Sequence, residues 1–315
     1  MLCLLVGLTG RVAAQGVVAI SLPDSAVTVW AEEDWRLFRE KVTWAAAQGL
    51  DTVPAGEAIA RLGESFVGTP YRAGTLEAPG TEHIVVNLRE LDCVTFVETV
   101  IALTKFVRQD GVAALGDSLA ARARYESYLR EIRYRAGILE GYASRLHYFS
   151  DWLAENAAQG HIEIVTASLG GVVDPRPITF MTSHAGAYPA LSDSVTLVTI
   201  QVVESRLNGG PPRYVIPKDS IAGIVNGIRD GDIIAAATTV AGLDVSHTGF
   251  AIWKNGELHL MHAPLTGQPV EISPLPLAER IRGISNQWGI MVARVEEMWL
   301  WPAGRPMPSA HHHEQ

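Results

Sequence analysis

Asn255 and Gly256 stand between two runs of alternating apolar residues, and this arrangement constrains the fold more than any other segment. Both residues tolerate the positive φ angles of a two-residue β-turn, so the segment predicts a tight antiparallel hairpin. Such a turn places Lys254 opposite Glu257. The pairing register of both strands then follows by counting back from the turn.

Two histidines come together in this register. Counting back pairs Gly249 with His262, and His247 lies two residues before Gly249 on the same strand. Directly opposed residues share a sheet face, as do residues two apart, so His247 and His262 are predicted to be diagonal neighbours. Their Cα atoms would lie roughly 7–8 Å apart, within reach of a hydrogen bond between the imidazoles. His259 falls on the other face.

Cys93 is the remaining cysteine if the N-terminal apolar segment containing Cys3 is removed. A lone thiol in an exported protein cannot form an internal disulfide, which indicates another role. Apolar spacing from Arg89 to Val107 predicts a helix with Cys93 in its first turns. The helix dipole and a neighbouring imidazole would lower the thiol pKa from about 8.5 and favour a nucleophile. His247 would be its base and His262 the orienter of that base.

The order of helical and strand patterns predicts an α+β fold. Amphipathic spacing indicates helices between Glu32 and Val67, near Ser118 to Ala136 and near Ser144 to Ala158. Beyond Ile162, short apolar runs bounded by turn residues indicate antiparallel strands. These runs lie at 162–165, 214–216, 232–235, 248–253, 258–261 and 290–293. The helix-rich N-terminal half, with the cysteine at a helix start, is expected to pack on this C-terminal sheet.

The 315 residues and their 48% hydrophobic content fit one large core. Residues 1–14 hold an apolar run followed by small residues and resemble a signal peptide, or the remainder of one, although no basic residue precedes the run. We therefore expect an exported, periplasmic protein with a single catalytic domain over residues 15–305. Residues 306–315, which contain three consecutive histidines, are expected to form a disordered tail.

Charge and motif content argue against several partners and cofactors. The formal net charge of -9 comes from intermixed acidic and basic residues without a basic block, so a nucleic-acid partner is not expected. Beyond the N-terminal segment, no stretch approaches the roughly 20 apolar residues of a transmembrane helix. A zinc hydrolase would need three protein ligands, and the sequence has neither a His-Glu-x-x-His motif nor paired cysteines. No metal or other cofactor is therefore expected, and the oligomeric state stays open.

Five short motifs occur along the chain in a characteristic order. They are Gly68-Thr69-Pro70-Tyr71, residues 91–97, residues 231–234, residues 246–250 and His262-Ala263-Pro264. Through this order the chain resembles the NlpC-type papain-like cysteine hydrolases of bacterial cell walls. Residues 71–77, 86–90, 145–152 and 242–247 further resemble the branch named N-acetylmuramoyl-L-alanine amidase-like. Each motif is weak alone, but the resemblance covers most of the chain.

The resemblance implies a papain-like fold and hydrolysis of an amide bond in peptidoglycan fragments. Cys93 would be the nucleophile, His247 the general base and acid, and His262 the polar third member. The branch resemblance points to the bond between the lactyl group of N-acetylmuramic acid and L-alanine. Muropeptides, including anhydro-sugar fragments, would then be the partners of the protein.

Three further residues are implied near the nucleophile. Tyr71 would assist the oxyanion or hold substrate with its hydroxyl, together with the backbone N–H of Cys93. Asp92 matches a position that contacts polar groups of the substrate, and Ser246 precedes the base. Each has a structural alternative, because Tyr71 could pack in a turn while Asp92 and Ser246 could be helix-start and strand-edge hydrogen bonders.

Other interpretations stay open at this stage. Cys93 could be an inert buried thiol, and Asp244 competes with His262 as orienter, although in a regular strand it would face away from His247. The same fold could instead cut within the stem peptide as an endopeptidase. A third interpretation is a cell-wall binding module whose cysteine pocket does not catalyse a reaction. An activated Cys93 is expected to alkylate faster than free cysteine near pH 6.

Overall fold

The computed structural model describes residues 30–77, 80–265 and 267–302, and the expected signal peptide and tail lie outside these ranges. Helices make up the N-terminal half as predicted. They are α1 (Glu32–Ala47), α2 (Ala55–Glu64), α3 (Cys93–Gln109), α4 (Ser118–Arg133) and α5 (Phe149–Ala158). Helix α3 begins four residues later than the apolar spacing suggested, because Leu91 pairs with Tyr71 and Asp92 is the extended N-cap of the helix.

A single antiparallel sheet forms the C-terminal half of the described residues. Its strands are β1 (Ile162–Ile164), β2 (Val172–Asp174), β3 (Arg213–Pro217), β4 (Ile233–Thr238), β5 (Val245–Lys254), β6 (Glu257–His262), β7 (Glu271–Ile272) and β8 (Gln287–Val295). The strand order is β2-β3-β8-β4-β5-β6-β7, and β1 pairs with the end of β8. The α+β class is therefore confirmed.

Helices that the sequence patterns did not reveal interrupt this half. They are α6 (Phe180–Ser183), α7 (Ser194–Gly209), α8 (Ile221–Ile224), α9 (Leu277–Gly283) and α10 (Glu297–Leu300). Helix α7 is rich in β-branched residues and lies on the surface, with only Ile200 and Glu204 buried. It therefore shows no clear apolar stripe, and helix and strand patterns are hard to separate in such a segment.

The sheet separates two hydrophobic cores. Ile233 and Phe250 face the larger core, which is built with α1 to α5. Ile234 and Ala251 face the smaller core, which is covered by α8 and α9. This alternation is the period of two expected of a sheet that is buried on both faces.

Helix α3 lies in the middle of the larger core. The Phe96 ring meets the Phe250 ring of β5 edge-on, with centroids 5.7 Å apart. Because α3 is buried along almost all of its length, its charged residues need partners. Glu98 Oε2 accepts a 2.6 Å hydrogen bond from Arg133 Nε of α4, and both side chains are buried. The ring contact thus positions the start of α3 against β5, and the ion pair joins the helix to α4.

None of the helices within residues 30–77, 80–265 and 267–302 combines the length and apolar character needed to cross a membrane.

The turn before β4 passes very close to α2, and we expect a glycine substitution there to be costly. Gly231 has φ +77°, and a Cβ on it would overlap Gly56 O and lie 2.8 Å from Gly56 Cα. Gly231→Ala should lower the free energy of unfolding by about 2–4 kcal/mol, which combines left-handed strain with overpacking. Urea unfolding measures this loss.

Gly256 is the matched control, because it has φ +82° but no atom within 4 Å of a Cβ. Gly256→Ala should cost only about 1–2 kcal/mol, from backbone strain alone. Equal losses for the two variants would contradict the close approach of the turn to α2.

Candidate active site

The hairpin of β5 and β6 has the register that its turn predicted. Ile252 pairs with His259, and Asn255 and Gly256 adopt φ angles of 51° and 82°. These positive angles are those of the two-residue turn.

His247 and His262 are in direct contact. His247 Nε2 lies 2.8 Å from His262 Nδ1, and the ring planes are nearly perpendicular at 89°. The two residues are 7% and 1% exposed. Gly249 makes the approach possible, because a Cβ there would come 2.9 Å from His262 Cβ. The predicted contact between the two histidines is confirmed.

A β-bulge lies immediately before His247. Ala236 of β4 pairs with His247, but the next residue, Ala237, pairs with Val245, so Ser246 is the extra residue. Ser246 Oγ accepts a 3.4 Å hydrogen bond from Gln287 Nε2 of β8. The contact seen for Ser246 therefore fits its alternative reading as a hydrogen bonder within the sheet.

Asp244 binds the start of α5 and does not orient His247. Its carboxylate accepts 2.7 Å hydrogen bonds from the backbone N–H groups of Ser150 in α5 and of Val245. Burial raises the pKa of Asp244. The prediction that Asp244 faces away from His247 assumed a regular strand, and the bulge interrupts that strand. Asp244 is excluded as the orienter for a different reason, which is that its carboxylate is hydrogen-bonded to Ser150 and Val245.

Asp92 and Thr95 form a capping box at the start of α3. Asp92 Oδ1 accepts a 2.8 Å hydrogen bond from Thr95 N, and Thr95 Oγ1 accepts one of 2.9 Å from Asp92 N. Cys93 is therefore the first helical residue. Asp92 has the helix-start role of its structural alternative, and it also lines a cavity of about 210 Å³ beside Arg145.

The Cys93 thiol lies next to β5, but it is not activated as expected. Although the residue is only partly buried, burial of the thiol, followed by the negative charge of Asp92, raises the thiol pKa to about 12. Backbone hydrogen bonds from Thr248, Cys93 and Val94 oppose it less strongly. The expected lowering of the pKa is wrong for the free protein, because desolvation outweighs these amides.

His247 is also neutral in the free protein. Burial, followed by the charge of Arg280, lowers its pKa to about 3. No hydrogen bond joins the Cys93 thiol to the His247 ring among the described residues. Such contacts are often long in unliganded enzymes and tighten when substrate binds.

Tyr71 lies beside Cys93 because its neighbours in the chain are hydrogen-bonded to Leu91, two residues before Cys93. Leu91 N donates to Pro70 O at 3.0 Å, and Arg72 N donates to Leu91 O at 3.2 Å. Burial raises the pKa of Tyr71, and the charges of Cys93 and Asp92 contribute to this rise. The structure thus brings Tyr71 and Asp92 near the thiol.

The structure adds two residues that the sequence motifs missed. Glu271 of β7 pairs directly with His262, and its Oε1 lies 3.7 Å from His262 Nε2. Arg280 of α9 is electrostatically coupled to Glu271, Cys93 and both histidines. The β6–β7 connection offers no turn dipeptide from which the pairing of Glu271 could have been counted.

Among the residues that the structure describes, no group of three or more His, Cys, Asp or Glu side chains could hold a metal ion.

Comparison with known proteins gives one family and several structures. The model of the N-acetylmuramoyl-L-alanine amidase-like family matches residues 61–290, a span that contains Tyr71, Cys93, His247 and His262. No curated protein matches the chain.

Solved structures resemble most of this chain. A crystal structure of a Bacteroides uniformis N-acetylmuramoyl-L-alanine amidase is 32% identical with a TM-score of 0.70, covering 77% of this chain and 99% of its own. A Bacteroides fragilis structure provisionally named a xylanase is 35% identical with a TM-score of 0.66, covering 74% and 99%. A Legionella pneumophila protein at 20% identity, with a TM-score of 0.58 and coverage of 84% and 95%, shares the fold alone.

The raised thiol pKa predicts slow alkylation of the free protein. At pH 7, Cys93 should react with iodoacetamide about 10- to 100-fold more slowly than in the unfolded chain, because less thiolate is present and its higher nucleophilicity only partly compensates. The rate should still rise above pH 9. Mass spectrometry of the Cys93 peptide follows the reaction, and a fast rate independent of pH near pH 6 would contradict the raised pKa.

Burial of the histidine pair predicts acid sensitivity. Burial, followed by the charges of His247 and Arg280, lowers the pKa of His262 to about 2, whereas the unfolded value is about 6.5. The unfolded chain therefore binds more protons, and stability that is present above pH 6.5 is lost as the pH falls towards 2. His262→Asn should reduce the slope between pH 4 and 6 by about 1.4 kcal/mol per pH unit, measured by urea unfolding. An unchanged slope would show that His262 is not buried as a neutral ring.

Proposed function

Because the chain belongs to the N-acetylmuramoyl-L-alanine amidase-like family, we propose that it hydrolyses the amide between N-acetylmuramic acid and L-alanine in peptidoglycan fragments. The observation that carries the chemistry is the buried contact between His247 and His262 on a strand whose backbone touches the Cys93 thiol. A nucleophile, a base and a group that orients the base are the parts needed for acyl transfer.

The proposed reaction passes through a thioester. Cys93 Sγ attacks the lactyl carbonyl carbon while His247 takes the thiol proton at Nδ1, because Nε2 is engaged by His262. The oxyanion would be stabilised by the Cys93 backbone N–H and the Tyr71 hydroxyl. His247 then protonates the departing amine of L-alanine, the carbon–nitrogen bond breaks, and water activated by His247 hydrolyses the thioester.

Proton transfer during attack fits the free site better than a standing thiolate. With a thiol pKa of about 12 and an imidazole pKa of about 3, the neutral pair is the resting form. General-base catalysis needs no prior thiolate, since the proton moves as the sulfur–carbon bond forms. We therefore assign His247 a base role in both halves of the reaction.

The arrangement supports a papain-like assignment for the fold. A cysteine at the start of a buried helix, a histidine on a strand of the facing sheet and a polar third residue on the next strand are the elements that this assignment requires. Peptidoglycan lies outside the cytoplasm, so export remains part of the proposal.

The name of the Bacteroides fragilis relative suggests a glycosidic bond instead. Glycosidases generally use two carboxyl groups that flank the bond. The carboxyl group next to Cys93, that of Asp92, already caps α3 with one oxygen, and a thiol with two imidazoles is better suited to an acyl group. Amide hydrolysis is therefore favoured.

Two functions compete with the proposal. An endopeptidase of the same fold would cut within the stem peptide, and a binding module would not turn over at all. Slow alkylation does not separate the module from an enzyme, because the free site predicts a neutral thiol in either case. Product analysis separates all three.

The decisive experiment is digestion of N-acetylmuramoyl-tripeptide and of its anhydro-sugar form, followed by mass spectrometry in the presence of a chelator. The wild-type protein should release intact tripeptide, and Cys93→Ala should lower the rate by about 10³-fold or more because the nucleophile is lost. Circular dichroism checks that the variant is folded.

Each other result would reject part of this proposal. Cleavage inside the peptide would favour the endopeptidase, and undiminished activity of Cys93→Ala would exclude the cysteine mechanism. Absence of turnover with both substrates would favour the binding module.

A further inference from the structure

His262 has a buried nitrogen whose hydrogen-bonding need is not met. None of the residues that the structure describes hydrogen-bonds to its Nε2, although His262 is only 1% exposed. Glu271 Oε1 is 3.7 Å away, on the residue directly paired with His262 across β6 and β7. The Glu271 side chain is 38% exposed, so its carboxylate has room to move. An unpaired buried polar atom is costly, which gives this proximity a physical meaning.

A single hydrogen lies between His247 Nε2 and His262 Nδ1 in their contact. Burial lowers the pKa of His247 to about 3 and that of His262 to about 2, so both rings are neutral at working pH. A neutral imidazole has one N–H and one lone pair. The 2.8 Å contact can therefore be made in two ways, depending on which ring donates.

Only one of these arrangements allows His247 to act as a base. If His247 Nε2–H donates to His262 Nδ1, then His247 Nδ1 keeps a lone pair and His262 carries its proton on Nε2. If His262 Nδ1–H donates instead, His247 must carry its proton on Nδ1. The ring then has no free lone pair with which to accept the thiol proton of Cys93.

We propose that Glu271 is a positioning residue that selects the catalytically competent arrangement by accepting a hydrogen bond from Nε2–H of His262. The inference rests on the proposed function for its consequence in catalysis. In the competent arrangement the carboxylate faces an N–H, and in the other it faces a lone pair, which it repels. A carboxylate that accepts from the outer nitrogen of a histidine fixes the tautomer and orientation of the ring in other sites.

A small movement completes the hydrogen bond. The recorded distance of 3.7 Å exceeds a charge-assisted hydrogen bond by roughly 0.8–1 Å. Because the Glu271 side chain is partly exposed, we expect rotation about its side-chain bonds to cover this difference without moving the strands. When His247 becomes an imidazolium during attack, the same carboxylate also stabilises the positive charge through His262.

Arg280 limits how far the proton moves. Its charge lowers the pKa of both His247 and His262, and it is electrostatically coupled to Glu271 and Cys93. The carboxylate therefore selects a tautomer without drawing a second proton onto His262. The charged and titratable groups around the pair are thus Glu271, Arg280 and the Cys93 thiol.

The tautomers can be read directly by nitrogen NMR of protein labelled with ¹⁵N-histidine. In the wild type, His262 should be protonated on Nε2 and His247 should have an unprotonated Nδ1. Glu271→Leu removes the acceptor and should shift His247 towards the Nδ1–H form. It should lower kcat about 10- to 100-fold, the usual effect of losing such an outer partner, with KM changed less than about twofold.

Two further variants separate positioning from structure. Glu271→Gln keeps an acceptor oxygen and should restore the His262 tautomer and most of kcat. Glu257→Leu is the matched control, because Glu257 lies 4.0 Å from His259 in the same hairpin, away from the site. It should leave both the tautomers and kcat unchanged.

The possible results distinguish the positioning role of Glu271 from the proposed function. A wild-type His262 without a proton on Nε2, or a Glu271→Leu variant with unchanged tautomers, would overturn the inference. The NMR readout needs no substrate, so it stands apart from the proposed reaction. If the wild type shows no amidase activity but loses the His262 Nε2–H state in Glu271→Leu, the positioning role is upheld and the proposed function alone fails.

Discussion

The packing of α3 against β5 is the contact on which the rest of the site depends. Phe96 and Phe250 join the helix to the strand, and the capping box at Asp92 makes Cys93 the first helical residue. Because β5 also carries His247, one interface sets the position of both the thiol and the proposed base. The buried ion pairs of α3 are a consequence of this central placement.

The same burial determines the proton chemistry. It raises the pKa of Cys93 and lowers the pKa of His247 and His262, so the free site holds three neutral groups. The direction of proton transfer is then set by which nitrogen carries each hydrogen, and not by a charge on one of these three groups. Which nitrogen carries each hydrogen is therefore as important as the distance between the rings. For this reason the carboxylate of Glu271, which lies beyond the pair, is proposed to influence the reaction.

Local rules predicted the parts of the structure that depend on neighbouring residues. The Asn255–Gly256 turn fixed the hairpin register, and the register brought His247 to His262. The bulge at Ser246 was not foreseen, since it depends on how β4 and β5 pair, and Arg280 arrives on a short helix that no motif marks. The thiol pKa was misjudged because the sequence shows the helix dipole but not the depth of burial.

The bulge at Ser246 has a consequence for how this site could be lost. Pairing on its two sides, Ala236 with His247 and Ala237 with Val245, does not use the extra residue. Loss of one codon at Ser246 would therefore leave both pairs and both cores in register, while it straightened the strand that carries His247. A single small deletion could in this way turn a hydrolase into a folded, inactive descendant.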